Sequence, residues 1–258
     1  MKKRTGTWIK YGIILLLLLY LAICFSMHLS VRETAWEAGE CMLYYIVNAD
    51  GMKGLGHSII MLMDEEGCGT VISYNGMQRS LTESLMGKSG VGKMSIGTMS
   101  ADETETFLQS GDLHLDGDQL TDNYDVALYR PITAAEYGVI LEQTEPYLAA
   151  QEQFTVLYEK WAMEENTSQK AEYEQELVQM GQGDALPVYQ IYTSNCDHVA
   201  RLLISSIDTE LRDSMRHTWH MTPNGNIKAF GAKAQSWGVM MLGSQSLSER
   251  ILMFLMIF

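Results

Sequence analysis

Three kinds of hydrophobic run divide this chain. The first is a charge-free stretch from Tyr11 to Val31, centred on Ile13-Ile14-Leu15-Leu16-Leu17-Leu18-Leu19. The second is a set of short runs. Met42-Leu43-Tyr44-Tyr45-Ile46-Val47 is aromatic and branched and predicts a strand; the continuous apolar run His57 to Asp64 predicts a strand buried on both faces. Thr70 to Gly76 predicts a returning strand after a hairpin turn at Asp64-Glu65-Glu66-Gly67, and further strands are expected near Lys93–Gly97 and over Asp125–Arg130, the latter ended by Pro131. The third kind has helical spacing. Thr133 with Glu136 forms a capping-box pattern and opens a helix through Tyr137, Ile140, Leu141, Tyr147 and Leu148, kinked at Pro146; a short helix is expected over 102–110.

Between these runs lie a glycine-rich loop over 48–56, polar Asp-Gly turns within 111–118, and a charged, helix-permissive segment over 150–185 that reads as an insertion. Near the C-terminus, Val199, Leu202 and Leu203 repeat at helical spacing after an extended Tyr189-Gln190-Ile191-Tyr192, and another helix is expected from Asn224-Gly225-Asn226-Ile227. Strands come first, then a helix, then the helix after Asn195. That order predicts an α+β domain with an antiparallel sheet packed on helices. Residues 251–258 are all apolar or aromatic but too few to span a bilayer.

The first run is long enough to cross a membrane as a helix. Lys2, Lys3, Arg4 and Lys10 precede it, so the positive-inside rule places that end in the cytoplasm. The resulting organisation is a basic cytoplasmic segment (1–10), an uncleaved transmembrane helix (11–31), a stem (32–40) and an extracytoplasmic domain (41–258) carrying the 150–185 insertion. Five of the 18 basic residues precede Glu33 and none of the 32 acidic ones does, which leaves residues 33–258 with 13 basic and 32 acidic residues, a net charge of −19. Such a domain repels phosphate, so nucleic acid is excluded as a partner, as is charge-driven docking on anionic lipid.

Cys196 gives the chain its candidate chemistry. Asn195 is a good N-cap, which makes Cys196 the first helical residue. The partial positive charge of a helix N-terminus favours a thiolate. His57, directly after Gly56 and at the start of a buried strand, is the candidate general base. Ser73 and Asn75 share a face of the neighbouring strand, and either can orient the ring; Asn75 is preferred, because an amide oxygen is the better acceptor. His217 and His220 lack a third ligand of the right type, so no metal or cofactor is expected. Cys41 and Cys68, at the edges of two early strands, are placed to pair, leaving Cys196 as the free thiol.

Asn195-Cys196-Asp197-His198-Val199 resembles the Asn-Cys-Glu-His-Phe motif of the lecithin:retinol acyltransferase-like family. Gly56-His57 with its aliphatic strand, the return strand Ile72-Ser73-Tyr74-Asn75-Gly76, and Thr222-Pro223-Asn224 are similar to segments of its bacterial members. The resemblance covers about residues 41–230. It implies a circularly permuted papain-like fold with Cys196 as nucleophile and His57 as base, and a third position filled here only by Ser73 or Asn75. It also implies amide or ester hydrolysis, or acyl transfer, through a thioester. The expected function is a membrane-anchored thiol hydrolase or acyltransferase acting on a peptide, peptidoglycan or lipid substrate. A non-catalytic interaction domain of the same fold is the alternative.

Overall fold

In the computed structural model the described residues are 10–20, 40–49, 51, 56–76, 90–115, 121–180, 188–192, 194–208, 222–227 and 237–243. They form an α+β domain around an antiparallel seven-stranded sheet. Its strands are β1 (Cys41–Asn48), β2 (His57–Met63), β3 (Gly69–Gly76), β4 (Gly90–Met99), β7 (Val126–Ile132), β8 (Val188–Tyr189) and β9 (Gly238–Met241), ordered β8-β4-β3-β2-β1-β7-β9. A separate hairpin pairs β5 (Asp112–His114) with β6 (Thr121–Asn123). The helices are α1 (Ala101–Ser110), α2 (Ala134–Glu142), α3 (Glu145–Met163), α4 (Thr167–Met180) and α5 (Cys196–Ser205).

The central strands β1 and β2 are buried at every position, which is why they read as continuous apolar runs rather than alternating ones. Alternate side chains feed two cores. Leu43, Tyr45, Ile60 and Leu62 face Val199, Leu203 and Ile204 of α5. Met42, Tyr44, Ile59 and Met61 share the opposite core with Phe107 of α1 and Leu113 of β5. The sheet is thus clad on both sides, with the cysteine helix on one of them.

Several expectations are redrawn. The 133–148 helix is two helices. α2 ends at Glu142, and Pro146 sits in the first turn of α3, where its missing N–H has no partner to lose. Pro131 does not end β7. It pairs with Met42 of β1, while β9 flanks β7 only from Val126 to Tyr129, so no neighbour needs its absent donor. β9 was not anticipated. The 150–185 segment is largely helical, carried by the end of α3 and by α4.

Residues 10–20 form a helix with its apolar side chains exposed, and among the described residues no helix is long and apolar enough to cross a membrane. The second half of the expected 11–31 span, the stem over 32–39 and residues 251–258 lie outside the described residues.

Cys41 and Cys68 are both free thiols. Met42 pairs with Met63, which sets Cys41 beside the end of β2, and Cys68 is held on the far side by its N–H donating to Asp64 Oδ1 at 2.8 Å. One strand lies between them. At about 4.8 Å per strand spacing, that puts their Cα atoms beyond the roughly 7 Å a disulfide spans. Cys196 is therefore not singled out as the thiol left over from a pair.

Candidate active site

The mount of Cys196 is built locally. Asn195 adopts extended backbone angles (φ −105°, ψ −176°), and its Oδ1 accepts from the His198 N–H at 2.9 Å, while its Nδ2 donates to the Ile191 carbonyl at 2.9 Å. Cys196 is the first residue of α5 and 2% exposed. The helix's unpaired N–H groups and dipole meet at its thiol.

His57 opens β2. Gly56 before it has φ +89°, a left-handed conformation that side-chain-bearing residues rarely adopt, and a Cβ there would stand 2.6 Å from Asn224 Oδ1. The β2–β3 ladder begins only at Ile59 opposite Ser73, although β3 runs on against β4 to Gly76. The two strands part at this end of the sheet. The Ser58 backbone N–H is directed to the Cys196 sulfur, and the His57 ring lies within hydrogen-bonding reach of the thiol.

The electrostatics follow from this arrangement. Burial alone raises a thiol's pKa, but the charge of His57, its hydrogen bond and the Ser58 N–H outweigh it, so the Cys196 pKa is lowered. Burial alone lowers that of His57, but the facing Cys196 thiolate, the hydrogen bond between them and, more weakly, Asp122 of β6 raise it overall. Each shift favours the charged form of its group.

Behind the ring, Ser73 Oγ is 3.3 Å from His57 Nε2, and Asn75 Nδ2 donates to Ser73 Oγ at 2.8 Å. Asn75, preferred from sequence as the ring's partner, stands one bond further back. The expectation that residues 73 and 75 share a face fits this chain, but β3's register brings the shorter side chain to the ring.

Two neighbours of Cys196 were missed by sequence reasoning. The Tyr189 hydroxyl of β8 meets both the thiol and the backbone N–H of Cys196; its ring packs over Gly76 and lies 5.8 Å from that of Tyr74. Its place in the extended stretch just before the N-cap was the available signal. Asp197, next to Cys196, is fully buried, accepting from Tyr45 Oη at 2.5 Å and from Asn226 Nδ2, and pairing with Arg201 Nε at 3.0 Å. A charge beside an apolar helical stripe gave no hint of this.

His198 supplies its backbone N–H to the cap, and the histidine that meets the Cys196 thiol is His57. His217 and His220 lie outside the described residues, and among those described no group of three or more His, Cys, Asp or Glu side chains is placed to hold a metal ion. The site is a cysteine–histidine pair at a helix N-terminus, backed by Ser73 and Asn75 and overlaid by a tyrosine. No protein family, no curated protein and no solved structure matches the chain.

Proposed function

We propose that this chain is a cysteine hydrolase or acyltransferase that cleaves an amide or ester bond. One observation carries the reading: the Cys196 thiol, at the start of a buried helix, faces the His57 ring, and each side chain stabilises the charged form of the other. The Cys196 thiolate attacks the carbonyl carbon and the C–S bond forms. The oxyanion takes the place at the Cys196 N–H that the Tyr189 hydroxyl fills here, and that hydroxyl turns to become a second donor. The His57 imidazolium then gives its proton to the leaving nitrogen or oxygen as the C–N or C–O bond breaks, leaving a thioester. Neutral His57 next takes a proton from water or from an acceptor alcohol or amine, whose attack releases the acyl group and restores the thiolate. Ser73 accepts from Nε2–H while the ring is charged.

The permuted papain-like fold belongs to this same proposal. It is supported by a cysteine helix lying on an antiparallel sheet, with the histidine earlier in the chain on that sheet. The uncharged 11–31 stretch supports anchorage in a membrane, with the acidic domain outside the cytoplasm. There a cell-wall peptide ranks first as substrate and a lipid or lipoprotein ester second. The alternative, a non-catalytic interaction domain, draws on the near-complete burial of Cys196 and His57, which are 2% and 7% exposed.

Alkylation of the full chain by iodoacetamide at pH 6, read by mass spectrometry, separates the two. The enzyme reading expects fast modification of Cys196 that is lost in His57→Ala. A rate equal to that of the denatured chain sinks it.

A further inference from the structure

Cys196 and His57 lie on different elements, and their pairing depends on a separation that neither element fixes alone. A third segment reaches both. Residues 223–227 form a turn of helix, as expected from the sequence, closed by Asn226 N–H donating to the Thr222 carbonyl at 3.1 Å and Gly225 N–H donating to Thr222 Oγ1 at 3.2 Å. Two asparagines two positions apart point out of it to opposite sides of the site. Asn224 Nδ2 donates to the Ala49 carbonyl at 3.0 Å, and its Oδ1 is seated against Gly56, the residue before His57. Asn226 Nδ2 donates to Asp197, the residue after Cys196.

All three side chains are buried: Asn224 is 6%, Asn226 2% and Asp197 0% exposed. Burying amides and a carboxylate is costly compared with an apolar filling of the same volume, even when they are bonded. Polar groups buried against both neighbours of the reacting pair specify a geometry that apolar packing leaves loose, since directed hydrogen bonds fix distance and angle. Asp197 has further ties, to Tyr45 on β1 and to Arg201 one turn along α5. The nucleophile helix is therefore keyed to the turn at one end and to the sheet beneath.

We infer that the 222–227 turn is a brace, with Asn224 and Asn226 as positioning residues that set the separation of His57 from Cys196. The inference rests on the Cys–His reading above and deepens it. Asn226 acts through Asp197 and the first turn of α5; Asn224 acts through Ala49 and Gly56.

The test is the pH profile of iodoacetamide alkylation at Cys196 in the full chain. Asn226→Ala and Asn224→Ala are each expected to move the acid limb toward that of an ordinary cysteine and to slow alkylation at pH 6 about tenfold, the change produced by one unit of thiol pKa. Asp197→Asn and Asn226→Asp each break the carboxylate–amide pair and are expected to do the same. The double exchange Asp197→Asn/Asn226→Asp restores one carboxylate facing one amide and is expected to recover part of the wild-type rate, because Tyr45 and Arg201 then meet an amide at position 197. Leu113→Ala, in the core on the other face of the sheet, is the control for general destabilisation and is expected to leave the acid limb in place.

The brace is overturned if the asparagine variants keep the wild-type acid limb or move it no further than Leu113→Ala does. It is overturned equally if the double exchange is no better than the single variants. A wild-type profile already that of an ordinary cysteine, unchanged in His57→Ala, overturns the Cys–His reading itself, and the brace with it.

Discussion

α5 and α3 are opposite uses of a helix. α5 has ten residues and seven are buried; α3 has nineteen, and among its described side chains only Leu157 is. α5 begins at an asparagine whose side chain bonds the first turn, whereas Thr144 makes no side-chain cap bond to α3. α5 lies on the central strands, and a buried carboxylate ties it to β1. α3 touches the sheet at its start, where Gln151 Oε1 accepts from Met94 N–H at 2.9 Å and Tyr147 meets Tyr74. It then runs out alongside α4, exposing Val156, Tyr158 and Met163. The lesson is that anchorage follows burial and bonding rather than length. The proposed nucleophile sits on the buried, capped helix rather than on the longer, exposed one.

Chemistry at the α5 start separates the two helices most. His57→Ala is expected to lower acyl transfer roughly 10²–10⁴-fold, the usual worth of a positioned base. A p-nitrophenyl ester assay checks this, and an equal loss from a change in α3 would break the contrast. Next comes packing. Leu203→Ala in α5 should cost ~2–5 kcal/mol in urea unfolding, while Val156→Ala and Met163→Ala in α3 should each stay within about 0.5 kcal/mol.

The pH dependence follows from the two shifts. The Cys196 pKa is lowered, so its thiolate persists until pH falls through that value; the His57 pKa is raised, so its proton is kept until pH rises through that one. Acyl transfer is expected in the window between them, with an acid limb below that of an ordinary thiol and an alkaline limb above that of an ordinary imidazole. A single rise at the usual thiol pKa would contradict it. The smallest expected effect separates the two residues behind the ring. Ser73→Ala removes the Nε2 partner and should slow acyl transfer about tenfold, in line with one lost hydrogen bond to a charged group. Asn75→Ala, one bond removed, should cost less, and the reverse order would return Asn75 to the ring.

Much of the fold was legible because local rules govern it. Apolar runs marked β1 and β2 as strands, and the second of them as buried on both faces; the full burial of β1 came from the structure. The Thr133–Glu136 pair marked the start of α2, where Thr133 Oγ1 accepts from the Glu136 N–H at 3.2 Å. Asn195 marked the start of α5. Features set by neighbours were not legible. Pro131 inside β7 is tolerated only because β9 stops short of it, and β9 itself, Gly-Val-Met-Met, is too brief to stand out. The Cys41–Cys68 pairing failed because an intervening strand, invisible in the spacing, keeps the thiols apart.

The sequence alone determined where a thiolate is favoured: a cysteine directly after a capping asparagine, at the head of an apolar helical stripe, is a local matter of backbone hydrogen bonding and dipole. It also put a histidine at the start of a buried strand. Only the tertiary structure decided that these two meet, since 139 residues separate them along the chain, as their numbers show. It also decided that Ser73 rather than Asn75 reaches the ring, and that Tyr189 and Asp197 flank the thiol. Those are questions of register and packing. A shift of two residues along a strand moves a side chain by nearly 7 Å while leaving the hydrophobic pattern unchanged.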